Sequence, residues 1–377
     1  MQSHNQINFP TDYESILERI EAIDPIKYAQ TRNYLNGRIT YLSPYLSRGV
    51  ISLPQILNSI LKKGYPTKAA EKLIQELAWR EYYQRVWQAK SNQIWEDLKQ
   101  PQQEVAHYSM ITAITNTNTG IQVIDKEIKQ LSESGYLHNH IRMYLSSIVC
   151  NIGKAHWLNP SKWMYYHLLD GDIASNNCSW QWVAGAFSSK KYYCNQENIN
   201  KYTFSNQTNT FLDTSYEALV DMPIPLSLQA TADIDLHTKL PETKFPLIDI
   251  SLPTLIYNSY NLDPNWKKNE MVNRILLLEP SHFNQYPISE KVIDFIIDLS
   301  KNIKGIQIFV GEIEEIANAY KVANVDPSKN IISKEHPAIN HYPGIKEERD
   351  WMFPSVTGYH SSFFSYWKKC ERILNKI

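Results

Sequence analysis

The stretch LLDGDIASNNCSWQW, residues 168–182, holds the densest set of groups capable of chemistry. Asp170 and Asp172 flank Gly171, Asn176 follows Asp172 by four positions, and Trp180 and Trp182 close the run. Glycine permits a turn or a close backbone approach. On a helix, the four-residue spacing brings Asp172 and Asn176 to one place on the surface. Two carboxylates and an amide so placed hold a polar ligand by hydrogen bonds, or they form an N-capped helix start with solvated acids. No His or third carboxylate joins at ligand spacing, so no metal is expected.

Three upstream segments offer further chemistry. NGRITYLSPYLSRG (Asn36–Gly49) is dense in hydroxyls ahead of a helix expected from about Ile51. Hydroxyls and backbone N–H groups at a helix start suit a phosphate-like anion, and they also serve as ordinary caps. ELAWREYY places Glu76 and Arg80 four apart with Trp79 alongside; in isolation this reads as an ion pair worth a few tenths of a kcal/mol. LHNHIRM sets Asn139 and Arg142 on an otherwise apolar helix, where buried polar groups require partners.

The elements that must position these groups are mostly helical. From about Thr11 to Thr203 apolar residues recur at three-four spacing, as in Ala70, Leu73, Leu77, Trp79 and Tyr83. GIQVIDKEIKQLSESG is a helix stopped by Gly135, with Ile121, Ile124, Ile128 and Leu131 on one stripe; YLHNHIRMYLSSIVCNIG follows as a more apolar, central helix. Between about Phe204 and Met271, Pro, Asn, Thr and Ser become frequent and the periodicity fades, which predicts an extended surface connection. Then RILLLE, IQIFV and NIISKE alternate with two helical runs, the pattern of a small parallel α/β unit. That unit has no G-x-G-x-x-G and no P-loop. The tail RDWMFPSVTGYHSSFFSYWKKC is rich in aromatics, expected to dock it onto the body.

Composition excludes several classes. The net charge of −1 gives no global footprint for nucleic acid, but residues 1–210 hold 21 Lys/Arg against 17 Asp/Glu, so a basic patch is expected only on the first half. Cys150, Cys178, Cys194 and Cys370 lack zinc or C-x-x-C spacing, which predicts reduced structural thiols and a cytoplasmic protein. No signal-peptide pattern opens the chain and no stretch reaches eighteen apolar residues, so no membrane association is expected.

Taken in order and spacing, TYLSPYLSRG, ELAWREYY, TGIQVIDKEIKQLSESGYLHNHIRM and LLDGDIASNNCSWQW resemble the FAD-binding helical domain of DNA photolyases and cryptochromes, over about Ile16 to Thr203. The resemblance implies a mostly α chain with an all-helical FAD-binding domain over 1–203. An extended linker over 204–270 and a small α/β domain with a parallel sheet and aromatic tail over 271–377 would follow. It implies FAD as cofactor, bound in a folded conformation. Thr40, Leu42 and Ser43 would hold the pyrophosphate, Glu76 and Arg80 the cofactor region, and Asn139 and Arg142 the flavin, with Arg142 paired to Asp170. Asp172 would accept hydrogen bonds from the flavin or ribose side, and Asn176 would face flavin N5. Trp180 and Trp157 resemble the inner members of the family's electron-transfer chain; Glu104 stands where its surface tryptophan is expected, leaving Tyr108 or Trp95 as substitutes.

The same resemblance implies a partner, damaged DNA, whose dipyrimidine lesion is extruded into a pocket above the flavin. Trp79 and Trp182 match the aromatics lining that pocket, and Glu76 and Met143 match other lesion contacts. His140 stands where many bacterial members carry Arg, which weakens a contact to DNA. The implied activity is light-dependent repair, by a lyase acting on cyclobutane pyrimidine dimers. For (6-4) lesions, His138 and His140 would be the available acids. A blue-light receptor without repair activity is the alternative, and the aromatic tail would be its moving part. Family members usually place an α/β antenna domain ahead of the helical one; here the α/β unit follows it and is too short for a complete one, so no antenna chromophore is expected.

Overall fold

A computed structural model describes residues 7–376, so the first six positions of the expected 1–203 unit and the last position of the chain lie outside it. Eleven labelled helices build the first part: α1 (Tyr13–Glu21), α2 (Pro25–Thr31), α3 (Ser43–Ser47), α4 (Leu53–Lys62), α5 (Thr67–Lys90), α6 (Thr112–Thr115), α7 (Gln122–Ser134), α8 (Asn139–Ser147), α9 (Leu158–His167), α10 (Ile173–Ala184) and α11 (Gln196–Thr203). Local chemistry sets their ends. Ser52 and Gln55 form a reciprocal capping box at the start of α4. Gly135 stops α7 and Gly185 stops α10, each in the left-handed region at φ 70° and 82°. Asp172 caps α10 by accepting from the Ser175 N–H at 2.7 Å. The 24-residue α5 runs without Gly or Pro and carries Glu76, Trp79 and Arg80 on consecutive turns.

The segment expected as an extended linker over 204–270 is only partly one. It contains the short helix α12 (Tyr216–Val220), and its Thr231–Ala232 (β2) pairs antiparallel with Met110–Ile111 (β1). Leu212, Leu219 and Leu228 are fully buried against the helical core. Its end, Thr254–Tyr257, is a strand, β3, and the central one of the sheet. Only four residues long and bounded by Pro253 and Asn258, TLIY shows no alternation because both its faces are covered, so periodicity does not reveal it. The α/β unit therefore begins near residue 254, not 271.

That unit continues as β4 (Asn273–Leu278), α13 (Pro280–Gln285), α14 (Glu290–Ser300), β5 (Ile306–Val310), α15 (Ile313–Val322), α16 (Pro327–Asn330), β6 (Ile331–Lys334), β7 (Ile345–Glu347) and α17 (Phe363–Leu374). All five strands are parallel, in the order β5-β4-β3-β6-β7. The unit shares a continuous apolar cluster with the helical part, in which Tyr45 and Phe295 face each other at 6.1 Å. The tail docks: Phe363, Tyr366, Trp367, Cys370 and Leu374 are buried, and α17 packs along α5. All four cysteines are buried and unpaired. Among the described residues no helix is long and apolar enough to cross a membrane.

Candidate functional site

Two buried carboxylates organise the site. Arg142 Nη2 donates to both oxygens of Asp170 at 2.9 Å, while Arg142 Nε is fixed on the Leu137 carbonyl at 2.8 Å. Asp172 accepts from Arg80 Nη2 at 3.0 Å, from Gln84 and from its own helix start. Both acids are nearly sealed from water, so removing either cation would strand a buried charge, typically at a cost of about 3–5 kcal/mol. The backbone of this corner is pinned as well: Ser47 Oγ donates to the Asp170 carbonyl, and the fully buried Arg48 guanidinium donates to the carbonyls of Leu168 and Leu169. Burial pulls the Arg48 pKa down, yet these carbonyls leave it well solvated by protein.

Glu76 and Arg80 do not form the expected ion pair with each other. Arg80 turns to Asp172, and Glu76 pairs with Arg32, from the loop after α2. The long-range partners win because Asp172 is buried and needs a cation, whereas an exposed i, i+4 pair is worth little.

Around these pairs, several expected cofactor residues keep free polar groups. The side chains of Thr40 and Ser43 are partly accessible, and no hydrogen bond engages either hydroxyl among the described residues; Leu42 between them is buried. Asn139 is exposed, its Nδ2 only 3.9 Å from the Met143 sulfur. Asn176 Nδ2 donates to the Ser161 carbonyl at 2.9 Å, so its Oδ1 is the atom left to a ligand. Ser175 Oγ, one residue earlier, is buried without a partner. Unclaimed hydroxyl and amide groups beside two guanidiniums fit a ligand with both phosphate and heterocyclic parts, as FAD has.

The tryptophans separate by environment. Trp180 is 2% exposed and its Nε1–H has no partner. Trp157 is fully buried and its Nε1–H donates to Asp97 Oδ1 at 2.6 Å. Glu104 is a surface residue bridging Lys154 and Lys191. Of the two substitutes, Tyr108 is 64% exposed and stacks on His156 at 4.9 Å, and His156 packs on Trp157 at 5.7 Å. Trp95 instead stacks on Tyr286, where α13 meets the helical part.

The residues expected to meet a lesion are placed unevenly. Trp182 is 37% exposed and Met143 half-buried, but Trp79 lies face to face with Phe363 of the tail, ring centres 3.8 Å apart at 10°. The tail is held there by Glu81, which accepts from the backbone N–H groups of Met352 and Phe353 and from the Tyr366 hydroxyl at 2.6 Å. The His140 ring packs against Tyr144 and Tyr202, and burial together with Arg32 pulls its pKa down. His138 is pushed down to about 4, by burial first and then by His140 and Arg142, which favours its neutral form. Sequence reasoning missed Gln84, Ser47, Arg48 and Ser161, the residues that orient the two acids and Asn176. Gln84 lies one turn beyond Arg80 and was reachable by spacing; the others act across more than 15 positions or through backbone carbonyls, which no local pattern marks.

Comparison with known proteins follows this geometry. Residues 73–213 match the family model described as the FAD binding domain of DNA photolyase. The deoxyribodipyrimidine photo-lyase of Buchnera aphidicola subsp. Baizongia pistaciae is 30% identical over 225 residues, 52% of this chain and 46% of that protein. The Escherichia coli photo-lyase is 27% identical over 198 residues, 48% of this chain and 41% of its own. A Synechocystis cryptochrome structure aligns at 22% identity and a TM-score of 0.46, over 52% of this chain and 44% of that one. The chain spans less than half the length of these relatives. Residues 73–213, which carry most of the cradle around Asp170 and Asp172, thus match the FAD-binding domain of DNA photolyases, a domain whose cofactor is FAD.

Proposed function

We propose that the protein is a light-dependent DNA repair enzyme that reverses pyrimidine dimers, of the cyclobutane type. Bound FAD would supply light-driven electron transfer toward the lesion. The chain's own residues do the rest. Arg142–Asp170 and Arg80–Asp172 fix charge beside the cofactor, and Asn176 offers an oxygen acceptor whose direction Ser161 sets. Thr40, Ser43 and Asn139 complete the cradle, while Trp180 and Trp157 stand as buried electron donors.

The observation that carries repair is exposure: Glu76, Met143 and Trp182 each remain partly accessible, as residues meeting an extruded base must. A receptor reading draws on a different observation, the stacking of Phe363 on Trp79, which makes the tail a covering element over that indole. Illuminating the purified protein with a reductant and thymine-dimer DNA separates the two. Loss of dimers with light dose supports repair. Flavin bleaching with the dimers intact turns the assignment to the receptor, and a protein that binds no flavin refutes both.

A further inference from the structure

The sheet contains a topological switch point that the reading above does not use. From β3 the chain moves outward through β4 and β5, then returns to the other side of β3 for β6 and β7. In open parallel sheets, ligands bind outside the carboxyl ends of the strands where the order reverses. A cleft of about 350 Å³ lies there, between β3 and β6, closed on its far side by the helical part. Asn261 follows β3, Lys334 ends β6, Arg349 and Trp351 follow β7, and Ser52 and Arg80 form the opposite wall. Of the residues assigned to the flavin cradle only Arg80 and Asp172 reach it, and its volume, near the lower limit for ligand clefts, is too small for a dinucleotide.

Several polar groups of the cleft are donors left without an acceptor among the described residues. Its carboxylates are already engaged: Glu81 by the tail, Asp172 by Arg80, Gln84 and Ser175, and Asp350 by Lys334 at 3.7 Å. Asp263 accepts from the Asn265 N–H at 2.8 Å, and burial raises its pKa. By contrast Asn261 Nδ2, Arg349 Nη2 and Trp351 Nε1 are buried donors without a partner among the described residues, although the Arg349 guanidinium also donates to Glu335 and Gln84. Such a donor typically costs about 1–3 kcal/mol until an acceptor is supplied. The ten-residue α4 also opens on the cleft at Ser52, its positive end. His336, on the same wall, is held neutral by burial and by Arg349, His282 and Arg80, so it adds no charge of its own.

We propose that this cleft is a second ligand site, taking a small oxyanion-bearing molecule no larger than a mononucleotide, with Lys334 and the unpartnered donors of Asn261, Arg349 and Trp351 receiving the anion. Phosphorus NMR titration of the flavin-loaded full chain with orthophosphate and, separately, with AMP tests it. Saturable binding that Lys334→Gln weakens at least tenfold, at unchanged flavin absorbance, is the expected result. AMP binding more tightly than orthophosphate identifies a nucleotide as the source of the anion, and equal affinities identify free phosphate. The proposal is overturned by absence of saturation for both probes up to about 10 mM, by equal binding to Lys334→Gln, or by binding that appears only after flavin is stripped. A wild-type chain that holds no flavin counts against the cofactor assignment alone, and the Lys334→Gln comparison then decides the cleft by itself.

Discussion

Replacing Phe363 by Ala tests whether the tail and an extruded base compete for one face of Trp79. Phe363 is buried, and its ring lies parallel to the Trp79 indole at 3.8 Å. A stacked aromatic pair is worth about 0.5–1.5 kcal/mol beyond the area it buries. If a base must take that face, the wild-type protein loses this amount on binding and the variant does not, so dimer-containing DNA should bind about two- to tenfold more tightly to Phe363→Ala. The tail should remain docked, because Glu81 still holds Met352, Phe353 and Tyr366, and Trp367 remains buried. The truncation itself is expected to lower global stability by about 3–5 kcal/mol. Fluorescence anisotropy at one fixed salt concentration, with melting temperature and flavin content measured on the same samples, reads all three quantities. Unchanged or weaker binding by a folded, flavin-loaded Phe363→Ala would refute competition at Trp79.

Other expectations follow from single contacts. Asp170→Asn leaves the Arg142 guanidinium without its carboxylate and should cost about 3 kcal/mol in chemical denaturation, with loss of flavin absorbance. Glu127 is 2% exposed, and burial raises its carboxyl from 4.5 to about 7, so ionising it opposes folding. Its contribution is neutral below the unfolded pKa, turns unfavourable as pH climbs from about 4.5 to 7 and is constant above, by up to about 3 kcal/mol. Glu127→Gln should therefore raise the melting temperature at pH 8 and leave it nearly unchanged at pH 4.5. Tyr108→Phe, which removes the exposed phenol stacked on His156, should slow light-driven flavin reduction, followed by absorbance, while Trp95→Phe should not.

The amino-acid sequence by itself determined the helical architecture. Helix ends depend on groups a few residues apart, as with Asp172 and Ser175 or Gly135 after α7, so local pattern carries them. Spacing likewise put Asp172 and Asn176 one turn apart, because both sit at the start of one helix. Tertiary structure alone decided the rest. The central strand Thr254–Tyr257 is buried on both faces and has no periodicity to read. Glu76 took Arg32 rather than Arg80, and Trp79 took Phe363, because burial rewards partners that chain distance hides. His138 and His140 keep their sequence-level identity as titratable groups, but desolvation pulls both pKa values down, a property of the packed interior that no neighbouring residue announces.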